Sequence, residues 1–210
     1  MAIVVVGGHS RNVGKTSVVA SLIQALEEYR WTAMKVTQYG HGVCSRNGRP
    51  CHCANEDHSW AISREQDPAG KSDTSRFLAS GADEVWWVRT EQGRLAEAMP
   101  EIRRRLALAE NVIIESNSIL EFLRPDLYLT ILDPENADFK TSARRFLDRA
   151  DAVVWHAAEG VARLPVWSAV SLKPVSGRPR FLVEPPDYVS SEMLQFVRAR
   201  LEAVSIDGQS

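Results

Sequence analysis

The residues best suited to do chemistry form a glycine-rich segment near the amino terminus, Gly7 to Ser17. Phosphate groups are bound by inward-pointing backbone N–H groups and a cation, and a hydroxyl can hold the accompanying metal. A glycine-rich turn that enters a helix supplies the N–H groups. Lys15 would reach the β- and γ-phosphates, and Thr16 would ligate Mg²⁺. The segment therefore predicts the phosphate site of a nucleotide-binding protein.

The spacing of this segment departs from the usual phosphate-binding loop. His9 stands where the first glycine is expected and Gly8 lies one residue earlier, so the pattern is Gly-x5-Gly-Lys-Thr. The segment still follows a predicted buried strand and opens a predicted helix, which is where the mechanism requires it. We predict that His9 and Arg11 contact the nucleotide or a partner. The predicted nucleotide-binding residues of the segment are Gly8, His9, Arg11, Asn12, Val13, Gly14, Lys15, Thr16 and Ser17.

Three charged residues elsewhere are candidates for the same site. Glu115 ends a predicted strand, where a carboxylate can hold Mg²⁺ or orient the attacking water; the alternative is a surface capping residue. Asp73 could be a second carboxylate of the metal or phosphate site, or the N-cap of the following helix. Lys35 follows a buried strand and could meet a second phosphate or an anionic substrate, or lie in solvent. We predict Lys15, Glu115 and Asp73 as catalytic residues.

A second cluster of reactive side chains lies between the second predicted strand and Asp67. Thiolates and imidazoles at this density suit Zn²⁺ or a similar metal, although Cys51-x-Cys53 is shorter than the common Cys-x2-Cys spacing. The alternative is a loop whose thiols are merely reduced or buried. The predicted metal ligands are His41, Cys44, Cys51, His52 and Cys53.

The elements that position these residues alternate between strands and helices. This alternation predicts an α/β, three-layer domain over residues 1–210, with a mostly parallel sheet, helices on both faces and a long Cys/His-containing loop at about 37–72. The predicted strands are Ala2–Val6, Trp31–Val36, Glu84–Val88, Val112–Glu115, Leu127–Leu132, Ala152–Trp155, Val166–Val170 and Phe181–Val183. The predicted helices are Lys15 to about Glu28, Asp73–Ser80, Leu95 to about Leu108, Thr141–Arg149 and Ser190 to about Val204, before a frayed tail.

Composition excludes several functional classes. The net charge of −2 predicts no nucleic-acid partner, and the apolar runs are too short to span a membrane. The amino terminus shows no signal peptide, and the three cysteines are clustered in an odd number, unlike a secreted disulfide scaffold. We therefore expect a cytoplasmic protein.

Several motifs together resemble the molybdopterin-guanine dinucleotide biosynthesis protein B (MobB) family of P-loop NTPases, which is related to dethiobiotin synthetase. The matching segments are Val13-Gly14-Lys15-Thr16, Met34-Lys35-Val36 followed by Gly40-His41, Asp67 to Arg76 followed by Ala79-Ser80-Gly81-Ala82, and Val112 to Ser118. Ser116 replaces the glycine usual in this family after the strand-ending glutamate. The resemblance implies Mg²⁺-dependent binding and slow hydrolysis of GTP more than ATP. It also implies a homodimer and an accessory role in molybdenum-cofactor biosynthesis, with molybdopterin or another anionic small molecule and a maturation protein as partners.

Other functions remain open at the level of sequence. An ATP-dependent ligase resembling dethiobiotin synthetase would use Lys35 and the long loop to bind a carboxylate substrate. A metallochaperone-type switch would hold metal in the Cys/His loop under nucleotide control. The residues do not distinguish GTP from ATP, because the segment after Trp155 lacks the Asn-Lys-x-Asp pattern by which many GTPases bind guanine. We expect Trp155 to serve in packing.

Overall fold

A nine-stranded, mostly parallel sheet organises the protein in the computed structural model, which describes residues 1–39, 59–158, 161–167 and 170–207. The strand order is β3-β4-β2-β5-β1-β6-β7-β8, and β9 also pairs with β7. The ladders are parallel except for those of β3 with β4 and β7 with β8. The strands are β1 Ile3–Gly8, β2 Trp31–Tyr39, β3 Trp60–Arg64, β4 Glu84–Glu91, β5 Asn111–Glu115, β6 Leu127–Leu132, β7 Ala152–Ala158, β8 Val161–Ala162 and β9 Arg180–Val183.

Helices cover both faces of the sheet. The α-helices are α1 Lys15–Ala25, α2 Asp73–Ala79, α3 Leu95–Leu106, α4 Thr141–Arg145 and α5 Ser191–Asp207. Successive side chains of a strand point to opposite faces, so Val4 and Val6 join one apolar core and Val5 joins the other. The first core receives α1, α2 and α5, and the second receives α3 and the end of α4. The predicted three-layer α/β class is confirmed.

Two predicted helices end sooner than expected. The helix predicted to run from Lys15 to about Glu28 stops at Ala25, and a separate 3-10 turn, Glu27–Tyr29, follows. The helix predicted at Thr141–Arg149 divides into α4 and a 3-10 turn at Leu147–Arg149. Short 3-10 turns are common at helix ends, where they satisfy carbonyl groups that lack helical partners. At the carboxyl terminus, α5 continues past its predicted end near Val204 to Asp207.

Two predictions about strands are wrong. No strand covers the described residues Val166, Trp167 and Val170; the Trp167 ring instead packs edge-on against Trp155 in the core. A strand does occur inside the stretch predicted to be irregular, where β3 pairs antiparallel with β4. Its signal was the alternation of Trp60 and Ile62, which pack on the core beside α3.

None of the helices in the described ranges is both long and apolar enough to cross a membrane.

The dependence of the fold on the α1 face can be tested with two leucines of different burial. Leu22 of α1 is fully buried, whereas Leu108 is 81% exposed. Leu22→Ala removes buried methyl groups and leaves a cavity, so we expect it to lower the free energy of unfolding by about 2–5 kcal/mol in urea titrations. Leu108→Ala is the matched control, expected to change it by less than about 0.5 kcal/mol. Equal effects of the two substitutions would contradict this assignment of the core.

Candidate functional site

The candidate site lies at the carboxyl ends of three adjacent central strands. In the parallel register, Glu115 of β5 pairs with Val6 of β1 on one side and with Lys35 of β2 on the other. The loop that leaves β1 therefore begins beside Glu115 and Lys35. Ligands of open α/β sheets bind at this edge, and the topology alone brings these predicted site residues together.

The loop between β1 and α1 turns sharply just before the helix. Asn12 has φ +56° and Gly14 has φ +82°, which is the left-handed region. At Gly14 a side chain would be strained and would also collide with Tyr188, because a Cβ atom would lie 2.7 Å from its ring. No side chain caps the start of α1 and its first turn contains no acidic residue. The first N–H groups of the helix are thus free of a side-chain cap and suited to an anion.

Asn117 holds the first part of the loop from the β5 side. Its Nδ2 group donates to the carbonyl oxygen of Gly8 at 2.8 Å, and its Oδ1 atom accepts from the Gly8 N–H at 2.9 Å. A side chain at Gly7 would collide with Asn117 Oδ1, which explains the glycine there. Sequence reasoning missed Asn117, although it lies in the segment where Ser116 replaces the usual glycine.

The end of β6 and the segment between β6 and α4 hold the other side of the loop. The His9 N–H donates to the carbonyl of Ile131 at 3.1 Å, and the Lys140 N–H donates to the carbonyl of His9 at 2.8 Å. Asn136 Nδ2 also donates to Ser10 Oγ at 2.9 Å. The loop is therefore fixed by side-chain and backbone hydrogen bonds from two directions.

His9 supports the loop from below. Its side chain is fully buried and makes edge contacts with Phe139 and Trp167, with ring centroids 5.1 and 5.5 Å away. Burial lowers the pKa of His9 to about 4, so the imidazole is neutral at pH 7. Both backbone groups of His9 are already bonded within the protein. Although we predicted a contact with nucleotide or a partner, the structure places the side chain in the core, as it does that of Val13.

A series of linked polar and charged side chains runs from α1 across the sheet to α2. Thr16 Oγ1 donates to Glu115 Oε2 at 2.8 Å. Lys35 Nζ lies 2.8 Å from Glu115 Oε1 and 2.6 Å from Asp73 Oδ2. Burial alone would lower the pKa of Lys35, but the Glu115 charge and hydrogen bonds to both carboxylates raise it above its usual value. Lys35 is therefore not a solvated strand end, and Glu115, only 5% exposed, is not a surface cap.

The start of α2 is organised by residues other than Asp73. Ser72 is the N-cap, because its Oγ accepts from the Ser75 N–H at 2.9 Å, so the capping alternative for Asp73 is wrong. Glu65, at the end of β3, accepts hydrogen bonds from Ser72 Oγ at 2.9 Å and Thr74 Oγ1 at 2.7 Å. Burial would raise the pKa of Glu65, but these bonds and those from backbone N–H groups lower it. Glu65 thus fixes the turn that presents Asp73, a role that sequence reasoning missed.

Lys15 lies at the centre of the loop. Its Nζ donates to the Ser10 carbonyl at 2.9 Å, so the ammonium folds back over the loop. Burial lowers the pKa of Lys15 to about 8, against the opposing charge of Glu115. A lysine in these surroundings gains a strong favourable interaction when an anion approaches. Nearby, Arg76 Nη2 donates to Ser17 Oγ at 3.1 Å, which links α2 to α1.

These groups line one open cavity of about 1150 Å³. The predicted residues that line the cavity are Arg11, Asn12, Gly14, Lys15, Thr16, Ser17, Lys35, Asp73 and Glu115. Gly8, His9 and Val13 are not among the lining residues, and the side chains of His9 and Val13 are buried. Lys140, Arg145 and Tyr188 also line it and were not predicted. Each belongs to a segment far from the loop in sequence, so no local pattern pointed to it.

The predicted zinc ligands His41, Cys44, Cys51, His52 and Cys53 lie outside the described residues. Within the ranges that are described, no group of three or more His, Cys, Asp or Glu side chains could hold a metal ion. Trp155 is buried in the core, which agrees with its predicted packing role.

A buried parallel strand, a glycine-containing loop with its lysine and a helix without a side-chain cap follow one another on a mostly parallel sheet. This arrangement is the α/β fold of P-loop proteins, as the sequence predicted. No family model and no curated protein matches the chain. The assignment therefore rests on the chain's own strand order and loop geometry.

Several solved structures are similar to this chain at low sequence identity. HypB from Helicobacter pylori, in complex with nickel, is 17% identical with a TM-score of 0.49 over 98% of this chain and 87% of that one. MobB from Bacillus subtilis is 13% identical with a TM-score of 0.40, covering 95% and 98% of the two chains. LpxK from Aquifex aeolicus, in complex with ATP, is 18% identical with a TM-score of 0.47, covering 87% and 53%.

The burial of His9 predicts a specific dependence of stability on pH. The pKa of His9 is about 4 in the folded protein against 6.5 as its ordinary value, so the unfolded chain binds more protons between these values. The neutral imidazole makes its full contribution to the free energy of unfolding above pH 6.5, and this contribution is lost as the pH falls towards 4. Between pH 7 and 5 we expect the wild type to lose about 2 kcal/mol more unfolding free energy than His9→Asn.

The measurement is a urea titration of both proteins at several pH values. His156, whose pKa is also lowered by burial, is present in both proteins, so the difference between them isolates His9. Parallel pH profiles for the two proteins would contradict a buried neutral His9.

Proposed function

We propose that this protein binds a Mg²⁺-nucleoside triphosphate and hydrolyses it slowly, with GTP preferred over ATP. One observation carries the proposal: the hydroxyl of Thr16, directly after the loop lysine, donates to the buried carboxylate of Glu115. A hydroxyl at the helix start joined to a carboxylate at a strand end is the arrangement that P-loop nucleotide hydrolases use around their metal.

The protein's own groups supply the phosphate site. The uncapped N–H groups at the start of α1 and the ammonium of Lys15 would bind phosphate oxygens. These donors are fixed before binding by the supports around the loop, so they need little rearrangement as negative charge develops. Fixed donors of this kind stabilise the transition state of phosphoryl transfer to water.

The residues around Glu115 fit Mg²⁺, which prefers hard oxygen ligands and usually needs only one or two carboxylates besides phosphate and water. Thr16 and Glu115 would hold the ion, and Asp73 is a further carboxylate within the same network. The ammonium of Lys35 between Glu115 and Asp73 indicates that this pair attracts a cation. When bound, Mg²⁺ neutralises phosphate charge.

The finer parts of the proposal rest on the sequence resemblance to the MobB family. That resemblance supports GTP as the nucleotide and an accessory role in molybdenum-cofactor biosynthesis. It also supports a homodimer that acts with molybdopterin or another anionic small molecule and with a maturation protein.

Nucleotide binding is tested by titration of GTP and ATP with and without Mg²⁺, together with phosphate release. We expect Lys15→Ala to weaken triphosphate binding by at least about tenfold, because a charge-assisted contact is lost. Glu115→Gln is expected to lower phosphate release by roughly a hundredfold. Lys173→Ala and Glu110→Gln, both exposed and outside the cavity, are controls expected to match wild type. A protein that binds no nucleotide, or releases phosphate only with a small organic acid, would contradict this function.

The predicted zinc site is tested separately by elemental analysis of protein purified without an affinity tag. We expect about one zinc atom per chain, lost in the Cys51→Ser, Cys53→Ser double variant, because thiolates are the strongest zinc ligands present. Metal-free wild-type protein that still binds nucleotide would contradict the metal site and leave the nucleotide proposal intact.

A further inference from the structure

Lys140 brings an additional cation to the phosphate-binding loop from a distant part of the chain. It lies in the segment between β6 and α4, and its N–H donates to the His9 carbonyl at 2.8 Å. The side chain is partly buried and lines the same cavity as Lys15. The backbone bond thus fixes the main chain of Lys140 to the loop, and its side chain lines the cavity beside Lys15.

The position of Lys140 is fixed by its neighbours. Phe139, the preceding residue, packs edge-on against the buried rings of His9 and Trp167, with centroids 5.1 and 5.5 Å away. Asn136 contacts the loop through its backbone oxygen, 3.4 Å from His9 Nε2, and through Nδ2, which donates to Ser10 Oγ. The segment is thus attached to the loop at several points, and Lys140 is its last residue before α4.

Lys140 has no direct counter-ion among the described residues. No ion pair within 4.0 Å is formed by Lys140 in the part of the chain that the structure describes. Burial and the charges of Arg11 and Lys35 lower the pKa of Lys140, against Asp138 and Glu115. Lys140 in turn lowers the pKa of Lys15. A partly buried cation that has no paired carboxylate and lies near other cations is costly, and an anion beside it offsets that cost.

The anion that fits is the outermost phosphate of the proposed nucleotide. Lys15 would reach the β- and γ-phosphates, and Lys140 lines the same cavity as Lys15, Lys35 and Glu115, the groups expected around the γ-phosphate and its metal. We propose that Lys140 binds the γ-phosphate and makes the site discriminate nucleoside triphosphate from diphosphate. This inference rests on the proposed function and adds a phosphate-binding residue that no motif in the sequence identifies.

The test is titration calorimetry of Lys140→Met with an imido triphosphate analogue that resists hydrolysis and with the diphosphate, both with Mg²⁺. We expect affinity for the triphosphate analogue to fall by about tenfold or more, and affinity for the diphosphate to change by less than about threefold. Lys140→Arg, which keeps the charge, should restore most of the discrimination. Lys173→Met is the matched control, because Lys173 is exposed and far from the cavity lining.

The outcomes separate this inference from the proposed function. Wild-type protein that binds neither nucleotide overturns the proposed function itself. If the wild-type protein binds both nucleotides, and Lys140→Met loses affinity for both equally or for neither, only the role of Lys140 is overturned.

A second measurement needs no variant. Acetylation of wild-type lysines, followed by mass spectrometry, should show Lys140 protected by the triphosphate analogue more than by the diphosphate, with Lys173 unprotected by either. Equal protection of Lys140 by both nucleotides would contradict the contact with the γ-phosphate.

Discussion

The buried carboxylate of Glu115 is the interaction on which the candidate site depends. It is 5% exposed and would be costly without partners, yet it accepts from Thr16 on one oxygen and from Lys35 on the other. Those two partners come from α1 and β2, so one side chain joins the helix that follows the loop to two neighbouring strands. The parallel register of β1, β5 and β2 makes this possible, because it brings Val6, Glu115 and Lys35 to one line across the sheet.

Hydrogen bonds from other elements also satisfy the backbone groups of the loop. Asn117 substitutes for a strand neighbour by bonding both backbone groups of Gly8. The backbone groups of His9 are bonded by Ile131 of β6 and by Lys140, which precedes α4. The turn of the loop is therefore fixed by hydrogen bonds from the protein's own groups. Donors that are already in place make anion binding less dependent on rearrangement, which is the physical basis of electrostatic preorganisation.

What the sequence could predict was governed by local pattern. Continuous apolar runs located β6 at its observed bounds, and the glycine-rich turn, with Lys15 and Thr16, located the loop. Glu115 could be proposed because it ends an apolar strand, and Lys35 because it was predicted to follow one, although β2 continues past it to Tyr39. Their mutual contact required the strand order, which no local pattern contains. The predicted role of the Cys/His segment falls on residues that the structure does not describe.

The misses have several physical causes. Lys140 and Asn117 act on the site through contacts with residues far along the chain, so their sequence neighbours carry no signal of the role. Glu65 bonds Ser72 and Thr74, seven and nine residues away, through a turn whose geometry no periodic pattern contains. The strand β3 was missed because its pairing with β4 comes from tertiary structure that overrides a weak local preference. The helix predicted to reach about Glu28 ends at Ala25 because its last turn tightens locally, a detail of termini that periodicity does not resolve.

The central position of β1 has a consequence for how the chain folds. Its ladder partners are β5 and β6, and the Asn117 contact that completes its end spans 109 residues of sequence. Pairings of such long range pay a large loop-closure entropy before they are rewarded, and they slow folding. During synthesis, the apolar first strand emerges from the ribosome well before either partner exists. A nascent chain of this protein therefore carries an unpaired apolar strand until β5, Asn111–Glu115, has also been made, and the candidate site can form only after that point.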